Sequence, residues 1–168
     1  MFIVGGAASG KSSWAEDLVL KRGVPKTYLA TSQILDDEIQ TKVDRHKAQR
    51  GTGWAIVESP LHLAPTLAEL PAGHICLIDC ATMWLSNHLL AGSDLAAQQA
   101  DLLTAINTCA ADLVIVSNEV GQGIVPDNAL ARQFREAQGR LNIALAAQAD
   151  LVVQITVGLP NVLKGQLP

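Results

Sequence analysis

The stretch from Gly5 to Ser12, GGAASGKS, constrains this chain more than any other feature, because it fits the spacing G-x-x-x-x-G-K-S. Glycines at positions 5, 6 and 10 let the backbone wrap closely enough for its N–H groups to converge on a phosphate tail. Lys11 is expected to bring positive charge to the β- and γ-phosphates, and the Ser12 hydroxyl to ligate Mg²⁺. An apolar run, MFIV, precedes the motif and a helical pattern follows it. This context favours a nucleoside triphosphate site over a glycine turn with an unrelated lysine.

Apolar strand-like runs alternate with helical stretches along the rest of the chain. Further strands are predicted at KTYLA, WAIVE, HICLID, DLVIVSN and LVVQITV, the last of these ending at residue 157, and residues 158–168 are interpreted as a tail. Helices are predicted over residues 11–22, 36–50, 61–70, 82–92, 94–111 and 127–149. Near-continuous apolar strands between helices indicate a mostly parallel sheet covered on both faces. We therefore predict an α/β fold in which residues 1–168 form a single domain.

Composition argues against several classes of protein. Hydrophobic residues make up 49% of the 168 positions, but no apolar run is long enough to span a membrane. A net charge of −4 and few aromatic residues argue against a nucleic-acid partner. The three cysteines (Cys76, Cys80 and Cys109) lack metal-site spacing, and their odd number argues against a disulfide framework. No cleavable apolar segment precedes the first basic residue, Lys11, so a cytoplasmic location is expected.

Asp79 is the first candidate site residue outside the glycine-rich motif, because it ends the strongly apolar fourth strand. Ligands of open α/β sheets lie beyond the carboxyl ends of the strands, so this carboxylate is predicted to face the nucleotide. It would hold Mg²⁺ together with Ser12, directly or through water. The alternative is that Asp79 caps the helix that follows.

His46 is the second candidate, because Lys42, Lys47 and Arg50 surround it in the predicted helix 36–50. Nearby cations would neutralise phosphate charge and favour the neutral, nucleophilic imidazole, which suits attack on a phosphorus atom. A lone helical histidine is more often structural or solvated, so the spacing leaves both interpretations open. The other histidines lack such a cluster and are interpreted as structural: His62, His74 and His88.

Five stretches of this sequence together resemble one enzyme family, the bifunctional adenosylcobinamide kinase/adenosylcobinamide-phosphate guanylyltransferases of cobalamin biosynthesis. They are GGAASGKS, YLATSQILDDE, RHKAQRG, LIDCATMWLSN and VSNEVGQGIVPDNALARQFREAQGRLN, and they follow the family order from residue 2 to about 157. Many nucleotide-binding proteins share the first stretch, whereas ATSQILDDE, the His-centred basic segment and NEVGQGIVP are specific. The resemblance implies a RecA-like P-loop fold and a homotrimer.

The resemblance also implies two reactions at one site. ATP or GTP would phosphorylate the aminopropanol hydroxyl of adenosylcobinamide, and GTP would then pass GMP through a guanylylated His46 to that phosphate, giving adenosylcobinamide-GDP and pyrophosphate. Lys11 would be catalytic as well, and Ser12 with Asp79 would hold Mg²⁺. The implied nucleotide contacts are Gly5, Gly6, Ala7, Ala8, Ser9, Gly10, Lys11, Ser12, Ala30, Thr31, Ser32, Lys47, Ala48, Gln49, Arg50, Glu58 and Asp79.

Several of these implied contacts have an ordinary structural explanation beside the functional one. Glu58 ends its strand, and its carboxylate would accept hydrogen bonds from the guanine or ribose of the nucleotide. An exposed strand-end carboxylate without a ligand is equally expected. Thr31 and Ser32 offer hydroxyl and amide donors, which a plain turn also predicts. Many relatives have arginine where this chain has Ala8, so the phosphate loop lacks that cation. The glycine-bearing stretch NEVGQGIVP is a candidate substrate loop.

Two other functions remain open from the residues alone. A monofunctional P-loop kinase for another small hydroxyl compound would explain the glycine-rich motif and Asp79 and leave His46 as a surface residue. A non-enzymatic nucleotide-binding module of RecA type is the third interpretation.

Overall fold

The computed structural model describes residues 1–33 and 52–168, and the predicted helix 36–50, with His46, lies outside them. The described strands are β1 (Phe2–Gly5), β2 (Lys26–Ala30), β3 (Trp54–Glu58), β4 (Ile75–Asp79), β5 (Asp112–Asn118), β6 (Val152–Thr156) and β7 (Leu159–Lys164). The described helices are α1 (Lys11–Lys21), α2 (Leu63–Glu69), α3 (Ala81–Leu90), α4 (Leu95–Thr108) and α5 (Ala129–Gln148). None of these helices is long and apolar enough to span a membrane.

All seven strands form one sheet in the order β3-β2-β4-β5-β1-β6-β7. Strands β1 to β6 run parallel to their neighbours, and only β7 is antiparallel, against β6. The pairing register places Glu58, Ala30 and Asp79 in one row across β3, β2 and β4, and pairs Gly5 with Asn118 of β5. The phosphate loop, Gly5 to Ser12, therefore lies at the same edge of the sheet as both strand-end carboxylates.

Helices cover both faces of this sheet, as predicted. Successive side chains of β4 alternate between the faces: Ile75 and Leu77 pack in the cluster beneath α1, whereas Cys76 and Ile78 pack in the cluster beneath the other described helices. Helix α1 contributes its buried apolar residues to the first cluster, and α2 to α5 contribute theirs to the second. The near-continuous apolar sequence of β4 is thus explained, because both faces of the strand are buried.

The structure corrects the interpretation of the C-terminal segment, because β6 is not the last strand and residues 159–164 form β7 beside it. The two strands are joined by Val157 (φ 48°) and Gly158 (φ 81°), which both adopt the left-handed conformation. Two-residue turns of this kind usually carry Asn-Gly. The hairpin was not predicted because this turn has a β-branched valine at its first position. Pro160 also argues against a central strand, but an edge strand tolerates proline.

Smaller differences concern where helices begin and end. Helix α2 begins at Leu63, two residues later than predicted, and it carries Pro65 within its first turn, where the missing N–H has no intrahelical partner to lose. Helix α5 begins at Ala129 because the Asn128 side chain accepts a hydrogen bond from the Ala131 amide at 3.1 Å. The predicted break between α3 and α4 is confirmed at Gly92, whose φ of 69° ends the helix.

Candidate active site

Two positions of the phosphate loop are sterically restricted to glycine. A Cβ atom on Gly5 would lie 2.6 Å from the carbonyl oxygen of Ile155 and 2.6 Å from the Ser9 hydroxyl oxygen. A Cβ on Gly10 would lie 3.2 Å from the Cα of Gly158, and Gly10 has a φ of 90°. Gly5 and Gly10 therefore serve close backbone packing as well as ligand approach.

The β6–β7 turn supports the phosphate loop from behind. The amide of Gly158 donates a hydrogen bond to the Ser9 carbonyl at 2.8 Å, and the Ser9 amide donates to Gly6 at 3.3 Å. Gly6, Ala7 and Ala8 are exposed, and Ala8 adopts a φ of 53°. The exposed side of the loop is therefore open to a ligand while its other side rests on the hairpin.

Lys11 lies over this loop as a nearly buried cation. Its side chain is 8% exposed, and its ammonium donates a hydrogen bond to the Gly6 carbonyl at 3.1 Å. Burial lowers the pKa of Lys11 below its ordinary value because desolvation penalises the charged form, and the nearby Asp79 carboxylate opposes that effect. A bound triphosphate would supply several further negative charges and so favour the ammonium form.

Asp79 ends β4 with its carboxylate held by a neighbouring strand. The Tyr28 hydroxyl of β2 donates a hydrogen bond to Asp79 Oδ2 at 2.8 Å. Helix α3 has Cys80 at its N-cap position and no side-chain cap, so Asp79 does not cap this helix. Its carboxylate is thus placed at the sheet edge, as a ligand-facing role requires.

Thr31 fixes the backbone immediately after Asp79. Its hydroxyl donates to the Cys80 carbonyl at 2.7 Å and accepts from the Cys80 amide at 2.8 Å, and its own amide donates to the Asp79 carbonyl at 3.2 Å. The Thr31 side chain is fully buried. Thr31 therefore positions the end of β4, and its contact with a nucleotide stays a prediction.

A polar network under the end of β5 was not found by sequence reasoning. Ser117 Oγ donates to Asn142 Oδ1 at 2.7 Å and accepts from Gln138 Nε2 at 2.9 Å, and the Asn118 amide donates to Thr82 Oγ1 at 2.7 Å. These bonds tie α3 and α5 to the end of β5. The sequence did contain a signal for this network. Gln138 and Asn142 lie four residues apart, and therefore on one side of the helix, next to the buried Leu141.

The donor chemistry at this edge suits Mg²⁺, which prefers one or two protein oxygens completed by substrate phosphates and water. Ser12 lies in the first turn of α1 and Asp79 at the end of β4, so both residues lie at the same edge of the sheet. Within residues 1–33 and 52–168, no three His, Cys, Asp or Glu side chains gather into a ready-made metal site. The donors present therefore fit an ion that arrives with the nucleotide.

Residues 1–163 match the family described as CobU, cobinamide kinase / cobinamide phosphate guanyltransferase. The chain belongs to this family. It is 39% identical to the bifunctional adenosylcobalamin biosynthesis protein CobP of Pseudomonas aeruginosa PAO1, over 98% of this chain and 96% of that protein. It is also 39% identical to the bifunctional adenosylcobalamin biosynthesis protein CobU of Salmonella typhimurium LT2, over 95% of this chain and 96% of that protein.

A solved structure from Pyrococcus horikoshii OT3 has a similar fold, with a TM-score of 0.56 over 98% of this chain and 85% of that chain, at 10% sequence identity. The sheet described above and this likeness confirm the predicted α/β fold class, a mostly parallel sheet covered by helices on both faces. The finer assignment to a RecA-like fold stays a prediction.

The cobinamide kinase / guanyltransferase site predicted from the sequence is only partly within the described residues. The structure brings the phosphate loop, residues 30–32, Glu58 and Asp79 to one edge of the sheet, with Glu58 exposed at the end of strand β3. The predicted nucleophile and its neighbours lie outside the described residues: His46, Lys47, Ala48, Gln49 and Arg50. Their roles, like the individual nucleotide contacts, stay predictions.

Proposed function

We propose that this chain catalyses both reactions of its family: phosphorylation of adenosylcobinamide, and transfer of GMP from GTP to the resulting phosphate. The observation that carries the proposal is a complete phosphate loop beside Asp79 in a chain whose residues 1–163 match this family. The products would be adenosylcobinamide-GDP and pyrophosphate. ATP and GTP are the proposed nucleotide substrates.

In the kinase step, the aminopropanol hydroxyl oxygen attacks the γ-phosphorus and the bond to the β–γ bridging oxygen breaks. The exposed amides of the phosphate loop bind the phosphate oxygens, and Lys11 stabilises the charge that develops on the β–γ bridge. Ser12 and Asp79 would hold Mg²⁺, which supplies further charge neutralisation when it is bound. The hydroxyl proton leaves to solvent or to a base at the site.

In the guanylyl transfer, a nitrogen of His46 attacks the α-phosphorus of GTP and pyrophosphate leaves. The phosphate of the corrinoid then attacks the same phosphorus, and the P–N bond to His46 breaks. Two displacements replace one direct encounter between two anions, which is the advantage of a covalent intermediate. The family-specific segment around His46 supports this assignment.

We also propose a cytoplasmic homotrimer, as the resemblance implies. Val157, Leu159 and Leu163 are exposed on the outer hairpin of the sheet. An exposed apolar edge strand is a surface that association of subunits would cover. This supports the proposal without identifying the interface.

The Asp79→Asn variant tests the proposed metal role. We expect the Mg²⁺ concentration for half-maximal turnover to rise by about 10-fold, equivalent to about 1.4 kcal/mol, because an amide oxygen attracts the ion less than a carboxylate does. The melting temperature should change little. Tyr28→Phe is the matched control, because it removes the phenol donor and retains the carboxylate. An early melting transition with an unchanged Mg²⁺ response would show that Asp79 is structural.

The proposed function itself is tested with two assays that use labelled nucleotides. The wild-type protein is incubated with Mg²⁺ and GTP labelled at the α-phosphate, then denatured, and the label on the protein is measured. We expect an adduct that is labile in acid and stable in base, as a phosphoramidate is, whereas γ-labelled GTP leaves no such label. With adenosylcobinamide and γ-labelled ATP, the label should appear on the corrinoid.

The same two assays separate the alternatives. Label on the corrinoid without an adduct on the protein would indicate a monofunctional kinase. Neither label, with nucleotide still bound, would indicate a binding module.

A further inference from the structure

The loop that follows β5, residues 119–126, starts beside the phosphate loop. Strand β5 is placed between β4, which ends at Asp79, and β1, which leads into the phosphate loop. The first amide of the loop, from Glu119, donates a hydrogen bond to the Gly5 carbonyl at 3.0 Å. This β5–α5 loop therefore leaves the sheet between the strand that leads into the phosphate loop and the strand that ends at Asp79.

The loop is anchored at its base by the buried polar network. The Asn118 amide donates to Thr82 Oγ1 at 2.7 Å, and Asn142 Nδ2 donates to the Asn118 carbonyl at 3.0 Å. Thr82 is buried, and the neighbouring Ser117 is fully buried. The point from which the loop leaves the sheet is thus held by two helices.

Two guanidinium groups of α5 hold the rest of the loop through its backbone. Arg135 donates to the carbonyl of Ile124 at 3.2 Å and also to that of Gly121. Arg132 donates to the carbonyls of Pro126 at 2.9 Å and Asp127 at 2.6 Å. Because these bonds use carbonyl oxygens only, they order the loop without engaging its side chains.

The side chains presented by this ordered loop are apolar and lie in solvent. Ile124 is 97% exposed and Val125 is 67% exposed. Two adjacent exposed aliphatic side chains make no favourable contact with a nucleotide's phosphates. An apolar ligand that covered them would bind more tightly, because their apolar surface would be removed from water. The other reactant of the proposed chemistry has such a surface, because a corrin macrocycle carries methyl groups around its ring.

We propose that Ile124 and Val125 form an acceptor platform that binds the apolar rim of the corrinoid and directs its hydroxyl arm toward the terminal phosphate. Arg132 and Arg135 are positioning residues for this platform. The inference rests on the proposed function, because it takes its ligand from the first reaction. It adds a binding site for the corrinoid that is separate from the nucleotide contacts.

The double variant I124S/V125S tests the platform. We expect the KM and the dissociation constant for adenosylcobinamide to rise at least about 10-fold, since two aliphatic contacts are lost. The KM for the nucleotide and the rate of GMP adduct formation without acceptor should stay unchanged. Ile143→Ser is the matched control, because Ile143 is 72% exposed on α5 and more than a dozen residues beyond the loop.

Calorimetric binding of adenosylcobinamide keeps this test independent of turnover. Wild-type protein that binds the corrinoid but does not phosphorylate it, with weaker binding in I124S/V125S, would support the platform while refuting the proposed function. Unchanged corrinoid affinity in the double variant would overturn the platform. A change in molecular mass in solution with unchanged affinity would overturn it too, because these side chains would then contact another copy of the chain.

Discussion

Lys11→Ala is expected to reduce both activities by at least about 10²–10³-fold, the usual effect of removing one group that stabilises transition-state charge. Lys11 is 8% exposed, and its ammonium already lies at the phosphate loop, 3.1 Å from the Gly6 carbonyl oxygen. Both reactions use the β- and γ-phosphates that it would neutralise. Steady-state rates for phosphorylation and for guanylyl transfer give the effect, and equilibrium nucleotide binding shows how much of it arises in the ground state.

Lys21→Ala is the control for Lys11→Ala, because Lys21 is an exposed lysine in the last turn of the same helix. It should leave both activities near the wild-type value. The free energy of unfolding of Lys11→Ala should not fall, since a desolvated cation with a lowered pKa contributes little to stability. Near-normal phosphorylation by this variant would contradict the proposed binding of the triphosphate.

His46→Ala is expected to separate the two reactions. Phosphorylation of a hydroxyl requires the phosphate loop, the metal and a positioned acceptor, and no covalent protein intermediate takes part. Guanylyl transfer by the proposed route requires a nucleophile that takes GMP and then releases it, which an imidazole does well. The variant should retain kinase activity, while the GMP adduct and adenosylcobinamide-GDP both fall below detection.

His62→Ala is the matched control for His46→Ala, because His62 is exposed and makes no side-chain cap at the start of α2. It should form the acid-labile adduct at the wild-type rate. An undiminished adduct in His46→Ala would refute the assignment, and mapping of the labelled peptide would then identify the nucleophile. Loss of both activities with an unchanged melting temperature would show instead that His46 also acts in phosphorylation.

Local signals explain why much of the fold was predictable. The bounds of β5 were predicted to the residue. A short apolar run between polar residues indicates a buried strand that ends where the polar residues begin. The phosphate loop was predictable because its glycines meet a steric requirement: a Cβ on Gly5 would lie within 2.6 Å of two other atoms. Asp79 was correctly predicted to lie at the same edge of the sheet as the phosphate loop, because ligands of parallel sheets bind beyond the carboxyl ends of the strands.

Other parts of the site depend on residues that are distant in sequence. The hairpin that supports the phosphate loop was missed because two of its residues are unusual at their positions. Val157 stands in a turn that usually carries Asn-Gly, and Pro160 stands within a strand. The nucleotide contact of Thr31 stays a prediction, whereas the pairing of its hydroxyl with Cys80, 49 positions away, was not predicted. No local pattern carries that pairing.

The sequence by itself therefore determined the family of the chain and two parts of the candidate site, the phosphate loop and a strand-end carboxylate. Only the tertiary structure decided how these parts are arranged. Strand order places β5 between β1, which leads into the phosphate loop, and β4, which ends at Asp79, so the loop that carries Ile124 and Val125 starts beside Gly5. Glycine sterics and apolar runs act within a few residues, whereas strand order depends on packing the whole sheet between its helices, which local spacing does not specify.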